Sequence, residues 1–461
     1  MFKQFYWLAR EATHRRLRKV RNLLDDIAEQ TRVLWLFTRH VALQRPPGFA
    51  GTPPCRTKRS VLVISYYSPP YRSIYGTQRI TKSMKFLVRM GWEVTLLTTS
   101  PSLPDERDDL AESLTDSIHV VRLPAPRLKS VHGGKGSFVP DDFIFWVRPA
   151  VAAAQLLVRE RGISLILGTA PPYSNLLAGA ICASMCKLPF VPDFRDPWSR
   201  IDVGWIIDKP GLRHLNAWME KIIIRHSARV VITDDLKYVG DFLADASETV
   251  RDKVVSITNG FDEEDFDGIP LAEGRRTKFT VSYVGSLYDQ ETFDNLLEPF
   301  RLWNEHHPED LRQVEFVYAG AHSKYFNNAG ALPFGLRDHG YVSHREAIIA
   351  RMNSDLQLFS QPAYFKPHIY SGKIFEMLRV GVPILAITRT DGAVATLLDR
   401  TGAGIAQYRH EDVAVILKDF FEKWKRGERL TTPDGAVVSA YSRETLANRL
   451  ASTLEETLVL P

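Results

Sequence analysis

The strongest constraint in this chain is a strand–helix rhythm that runs once, stops, and starts again. Residues 61–64 are a short apolar run, and 92–99, 165–167, 190–192, 230–233 and 254–257 read as further strands. Such runs suit strands covered on both faces, as in parallel sheets. Helix-patterned segments fall between them, notably 143–161, 175–187 and 212–225. Parallel neighbours need a crossover connection, so this order implies a parallel sheet with helices on both sides. Asn259-Gly-Phe-Asp262 closes the first run with turn residues, and a polar stretch leads to about Lys278. The rhythm then resumes with strands at 279–284, 314–318, 356–359 and 383–387 and helices at 343–353 and 371–380. Ser343 and Glu346 have the spacing of a capping box. A chain of 461 residues is too long for one ordinary core. The expectation is an α/β protein of two facing Rossmann-like domains with parallel sheets and an interdomain cleft. The first domain covers residues 60–265 and the second 275–430. Residues 1–59 form a basic, helical extension with a linker, and 431–461 a helical segment that packs back on the first domain.

Charge is distributed unevenly. The net charge is +5, yet the first 60 residues hold 13 Lys/Arg against 4 Asp/Glu, or +9, so the rest of the chain carries −4. The basicity belongs to the extension, which argues against nucleic acid as a partner of the main body. Phe2, Phe5, Tyr6, Leu17, Val20, Leu24 and Ile27 recur there at mostly helical intervals, interleaved with Arg15, Arg16, Arg18, Lys19 and Arg21. Such a helix suits an anionic membrane surface, reached through residues 1–45, or a helix packed on the body with solvated charges. Pro46, Pro47, Pro53 and Pro54 mark the linker. Cys55, Cys182 and Cys186 are too few and odd in number for a disulfide framework. With no apolar signal core and no long apolar run, the expected location is the cytoplasm, peripheral on the inner membrane face if the extension binds lipid.

The segment Tyr370-Ser-Gly-Lys-Ile-Phe-Glu376-Met-Leu-Arg-Val-Gly-Val-Pro-Ile-Leu385 reads as loop, helix and buried strand. Ser371 and Gly372 are expected to open the helix, presenting free N–H groups and the positive dipole end to an anion. Lys373 adds a full charge, and Glu376 lies on the same side of the helix, where its carboxylate can accept from ribose hydroxyls. The spacing alone also fits a surface helix with a Ser cap and a Lys–Glu pair. Asp193, Arg195 and Asp196 follow a strand end, where they can meet acceptor hydroxyls or tune a proton transfer, or brace the loop as an internal pair. Asp265-Phe-Asp267 has a D-x-D form but lies in the linker, and is read as coincidence. No His/Cys cluster has metal-ligand spacing, so no metal is expected. The loop at Gly76 lacks the G-x-G-x-x-G pattern of dinucleotide sites, which disfavours a dehydrogenase.

The 370–385 segment resembles the donor-binding signature of the retaining glycosyltransferases of group 1 (family 4), of GT-B fold. It is closest to a subgroup with S-G-K-x-F-E followed by G-x-P-I-L. Val61-Leu-Val-Ile-Ser-Tyr-Tyr-Ser-Pro-Pro70 with Gly76-Thr-Gln-Arg79, Ala170-Pro-Pro-Tyr173, Asp193-Phe-Arg-Asp-Pro-Trp198, Val281-Ser-Tyr-Val-Gly-Ser286, Asp391-Gly and Thr401-Gly-Ala-Gly404 are similar to further strings of that family. The resemblance covers about residues 60–425. It implies transfer from a nucleotide-sugar donor to a glycolipid, polysaccharide or other envelope acceptor, with retained anomeric configuration and no cofactor. Lys373 would hold the diphosphate, with Ser371 and Gly372, and Glu376 would bind ribose. Gly285 and Ser286 would let backbone approach the phosphates. Gly76, Arg79, Asp193 and Arg195 would serve the acceptor, and Lys373, Glu376 and Asp196 the chemistry. His368 stands where many members carry a first Glu, and touches the donor sugar in this reading. Leu287-Tyr-Asp-Gln-Glu291 stands where many place Arg and Lys, leaving Lys366 or Arg79 as substitute cations. A sugar-nucleotide epimerase of the same fold and a non-catalytic sugar-binding module are the alternatives.

Overall fold

The computed structural model describes residues 2–46, 58–69, 77–100, 114, 116–124, 138–196, 198–199, 210–234, 247–269, 276–287, 289–322, 324–362 and 364–459. For 2–19, 210, 211 and 249 it describes the backbone alone. Gly76 and Cys55 lie outside the described residues. The chain forms two units, one of Met1–Leu236, Gly240–Ile257 and Ala447–Pro461, the other chiefly Thr258–Leu446.

The first unit holds strands β1 (Ser60–Ile64), β2 (Glu93–Thr99), β3 (His119–Leu123), β4 (Leu165–Ala170), β5 (Phe190–Phe194), β6 (Val230–Ile232) and β7 (Val254–Ser256). They pair in the order β3-β2-β1-β4-β5-β6-β7, parallel throughout. The second unit holds β8 (Phe279–Val284), β9 (Val314–Ala319), β10 (Gly335–Asp338), β11 (Leu356–Ser360), β12 (Ile384–Ile387) and β13 (Gly404–Gln407). Their order is β10-β9-β8-β11-β12-β13, again parallel. Both are doubly wound Rossmann-like sheets, and each reverses direction once, between β1 and β4 and between β8 and β11. The expected apolar runs are the central strands, and every residue of β1, β4 and β5 is buried. The edge strands β3, β10 and β13 are additions to the expected set.

The helices used below are α1 (Phe2–Phe37), α2 (Gln78–Arg89), α3 (Val147–Arg161), α4 (Ser174–Cys186), α5 (Pro210–His226), α6 (Gln290–His306), α7 (His344–Met352), α8 (Lys373–Val380), α9 (Ala393–Thr401), α10 (His410–Arg426) and α11 (Arg443–Val459). On one face of the second sheet Phe279, Phe300, Trp303, Phe316 and Phe421 pack into a core with α6 and α10. On the other, Ile374, Phe375, Met377 and Leu378 of α8 pack with Ala386 and Leu397. This burial fixes α8 rotationally, so its apolar stripe decides which way Lys373 and Glu376 face. The capping box at Ser343 and Glu346 is present and starts α7. α1 is continuous over 36 residues. Among the described residues no helix is long and apolar enough to cross a membrane.

Candidate functional site

In an open doubly wound sheet, ligands bind beyond the carboxyl ends of the strands where the order reverses. In the second unit that point lies between β8 and β11. Gly285 and Ser286 follow β8, and the loop after β11 leads into α8. Lys373 is the first residue of α8, with Gly372 as N-cap and Ser371 just ahead of the helix. Ser371 therefore does not cap by side chain. Its carbonyl accepts from Ile374 N at 3.2 Å, and Gly372 faces open space.

The Lys373 ammonium lies directly on Gly285, where any Cβ would collide with Nζ. A Cβ at Gly320 would in turn strike the Gly285 carbonyl, so two glycines clear the path of one lysine. Burial, with Arg351 nearby, brings the Lys373 pKa down to about 8, while Glu376 opposes the fall. Arg351 reaches from α7 and is almost fully buried. Its guanidinium donates to Glu376 Oε2 at 3.0 Å and to the Val284 carbonyl at 3.2 Å. It thereby ties α8 to the end of β8. His344 Nε2 lies 3.8 Å from Glu376 Oε1 and 3.6 Å from Asp265 Oδ2. The Asp265 carboxylate beside it raises the His344 pKa against the effect of burial, and Glu376 adds to the rise.

Glu376 thus keeps its expected neighbourhood with Lys373 but is shared with Arg351 and His344. Asp265 is not a bystander, because the turn Glu263–Phe266 brings it to His344. His368 sits half-buried in the loop between β11 and α8. That loop is fastened by Ala393 N to the Pro367 carbonyl at 2.7 Å, Thr388 Oγ1 to Gln361 Oε1 at 3.2 Å, and Tyr364 Oη to Asp289 Oδ2 at 2.5 Å. Asp289 also caps α6 through Thr292 N at 2.8 Å, which is the use the chain makes of the segment after β8. Arg351 and His344 were not anticipated from sequence. The available signal was Arg351 on the inward stripe of α7 beside Ile348, since a buried guanidinium must have an anionic or carbonyl partner.

In the first unit the reversal lies between β1 and β4, and Asn175 at the start of α4 accepts from Tyr66 N at 3.1 Å there. Arg79 of α2 and Asp193 of β5 form a buried pair, 2.9 Å at the closest, and Thr169 Oγ1 donates to the same carboxylate at 2.9 Å. Arg195 donates to the carbonyls of Ala170 at 2.9 Å and Pro171 at 2.6 Å. These three side chains are tied to one another's loops within the unit, as the alternative of an internal brace expects. Their charge is satisfied inside the unit.

Burial raises the Asp196 pKa while Arg195 opposes. Asp234 is pushed up to about 7 by burial and then by Asp196. Tyr173 stacks on Trp198 at 5.1 Å between ring centres, and its hydroxyl donates to the Asp196 carbonyl at 3.3 Å. Glu220 accepts from Trp198 N at 3.0 Å. The two rings are buried against each other, so the cluster offers its carboxylates and not its aromatic faces.

Residues 76–259 match the family model described as Glycosyl transferase 4-like domain. No curated protein matches the chain by sequence. Among solved structures, the chain is similar to a sucrose-phosphate synthase from Thermosynechococcus elongatus, at 14% identity and TM-score 0.60, over 87% of this chain and 99% of that one. It is similar to a Listeria monocytogenes protein described as a UDP-N-acetylglucosamine 2-epimerase, at 13% identity and TM-score 0.54, over 87% and 96%. WaaG, a glycosyltransferase involved in lipopolysaccharide biosynthesis, is similar at 13% identity and TM-score 0.51, over 85% and 98%. At these identities the likeness carries the architecture. The chain has the GT-B fold, and the match to the family model falls on its first sheet.

Proposed function

We propose that this protein is a glycosyltransferase of the group 1 type, which takes a sugar from a nucleotide-diphosphate donor held in the second unit. The observation that carries the reading is the Lys373 ammonium seated on Gly285 at the strand reversal. There a cation, the first-turn N–H groups of α8 and a side-chain-free backbone converge on one place. Two linked phosphates have the charge and size for that place. Glu376, oriented by Arg351, is the acceptor for ribose hydroxyls, and His368 stands in the loop beside the donor sugar.

In the transfer step the sugar–phosphate bond breaks and negative charge grows on the leaving diphosphate. A fixed ammonium there stabilises the transition state more than the ground state. The acceptor, a glycan or lipid-linked sugar, belongs to the first unit, at the acidic cluster around Asp196. Retention of configuration and independence of metal go with the resemblance of the 370–385 segment.

The test is a thermal-shift screen with UDP-, GDP- and ADP-sugars, followed by turnover with the donor that stabilises the protein. Ligand at about a hundred times its Kd stabilises by about 2.7 kcal/mol, which is readily seen. Lys373→Ala should abolish both the shift and the turnover. If Lys373→Ala binds and turns over the donor like wild type, the site is elsewhere. If an epimerised sugar nucleotide forms without acceptor, the transferase reading fails in favour of an epimerase.

A further inference from the structure

The first helix is mounted with its polar side toward the body in its middle stretch. Asp26 is only 2% exposed, Glu29 pairs with Arg148 at 2.8 Å, and Gln30 accepts from Val139 N. Only from Val33 onward do apolar side chains turn inward, with Val33, Phe37 and Val41 fully buried and Phe37 edge-on to Trp218. On the opposite face Val20, Leu24, Ile27 and Trp35 are 56, 61, 48 and 54% exposed. At 100° per residue they fall on one stripe, with Leu23 at its border. A helix that only covered the core would place such residues inward. Here the anchored end holds the apolar stripe of the preceding turns out to solvent.

Charge selects the occupant. The first 60 residues carry +9, while the remaining chain carries −4. Arg21 is exposed, Arg32 is largely exposed and pairs with Glu29, and the Arg39 guanidinium lies 4.9 Å over the Trp35 ring. A second copy of the chain would bring the same positive segment against itself. An anionic lipid surface accepts the apolar stripe in its headgroup boundary and the arginines on its phosphates.

We propose that the face formed by Val20, Leu24, Ile27 and Trp35 docks the protein on an anionic lipid surface, whether or not the transferase reading holds. The test is co-sedimentation of the full chain with vesicles of phosphatidylglycerol and phosphatidylcholine, against phosphatidylcholine alone. Wild type should pellet with the anionic vesicles at low salt and lose much of that binding at high salt. V20S/L24S/I27S should lower the partition coefficient at least about tenfold. R21E/R32E should lower binding to anionic vesicles more than to neutral ones. These residues are exposed, so circular dichroism should show both variants folded. Lys373→Ala should pellet like wild type, which separates this proposal from the donor site. Absence of wild-type binding at low salt, or equal binding by V20S/L24S/I27S, overturns it. So does a wild-type dimer in sedimentation equilibrium that this variant abolishes without any vesicle binding.

Discussion

Replacing Lys373 by methionine should make the protein more stable and unable to bind its donor. The Lys373 pKa falls from 10.5 to about 8, with burial as the leading cause. That fall corresponds to a penalty of about 3 kcal/mol on the charged form in the fold. Lys373 is half-buried, so solvent screening reduces the expected share to about 1–2 kcal/mol. Met keeps the length and apolar stem and removes the charge. The sign follows from proton linkage. Between about pH 8 and 10.5 the unfolded chain holds the Lys373 proton more tightly than the fold, so wild-type stability rises with pH across that window. Below it the full penalty applies, and above it none. Urea denaturation of both proteins at pH 7 should therefore favour K373M by about 1–2 kcal/mol, and the gap should close toward pH 10. The stabilised donor should raise the wild-type midpoint and leave the variant unmoved. If K373M is less stable than wild type at pH 7, and the deficit does not change with pH, Lys373 is a structural partner of Glu376. The reasoning from a strained cation then fails.

Gly285→Ala displaces the tip of Lys373 and places a side chain at a φ of +157°, so it should lower stability by about 1–3 kcal/mol and weaken donor binding at least about tenfold. Gly320→Ala meets the Gly285 backbone and should lower stability by about 1–3 kcal/mol. Arg351→Met leaves Glu376 without its buried partner and should destabilise by about 3 kcal/mol, with R351M/E376Q less affected than the sum of the singles in a double-mutant cycle. His344 has a raised pKa, so its contribution is complete below its ordinary value of 6.5 and fades as pH rises through the raised value. The stability gap between wild type and His344→Gln, followed by urea titration, should shrink from acidic to alkaline pH.

Legibility in the sequence followed burial. The central strands β1, β4, β5 and β8 announce themselves because nearly every residue is covered on both faces. The edge strands β3, β10 and β13 do not. Gly335-Leu-Arg-Asp338 and Gly404-Ile-Ala-Gln407 have one side open, and their composition carries no apolar run. The place of Lys373 at the start of a helix was legible because it needs only local spacing. Arg351 was not, since its partners Glu376 and Val284 are 25 and 67 residues away, and only the fold brings them together. The same distance hides the pair of Arg79 and Asp193. They stand 114 residues apart, and nothing local in either says that the other neutralises it.

The two strand reversals therefore differ electrostatically although their topology is alike. In the first unit the cation at the carboxyl ends, Arg79, meets Asp193 in a closed pair fixed further by Thr169. In the second, Arg351 pairs with Glu376, and burial, with Arg351 nearby, holds the Lys373 ammonium at a penalty. Proton release would relieve that penalty only above about pH 8, whereas a bound dianion would relieve it at neutral pH, so a gain in stability at neutral pH on adding a diphosphate ligand is the outcome expected if the second unit holds the donor.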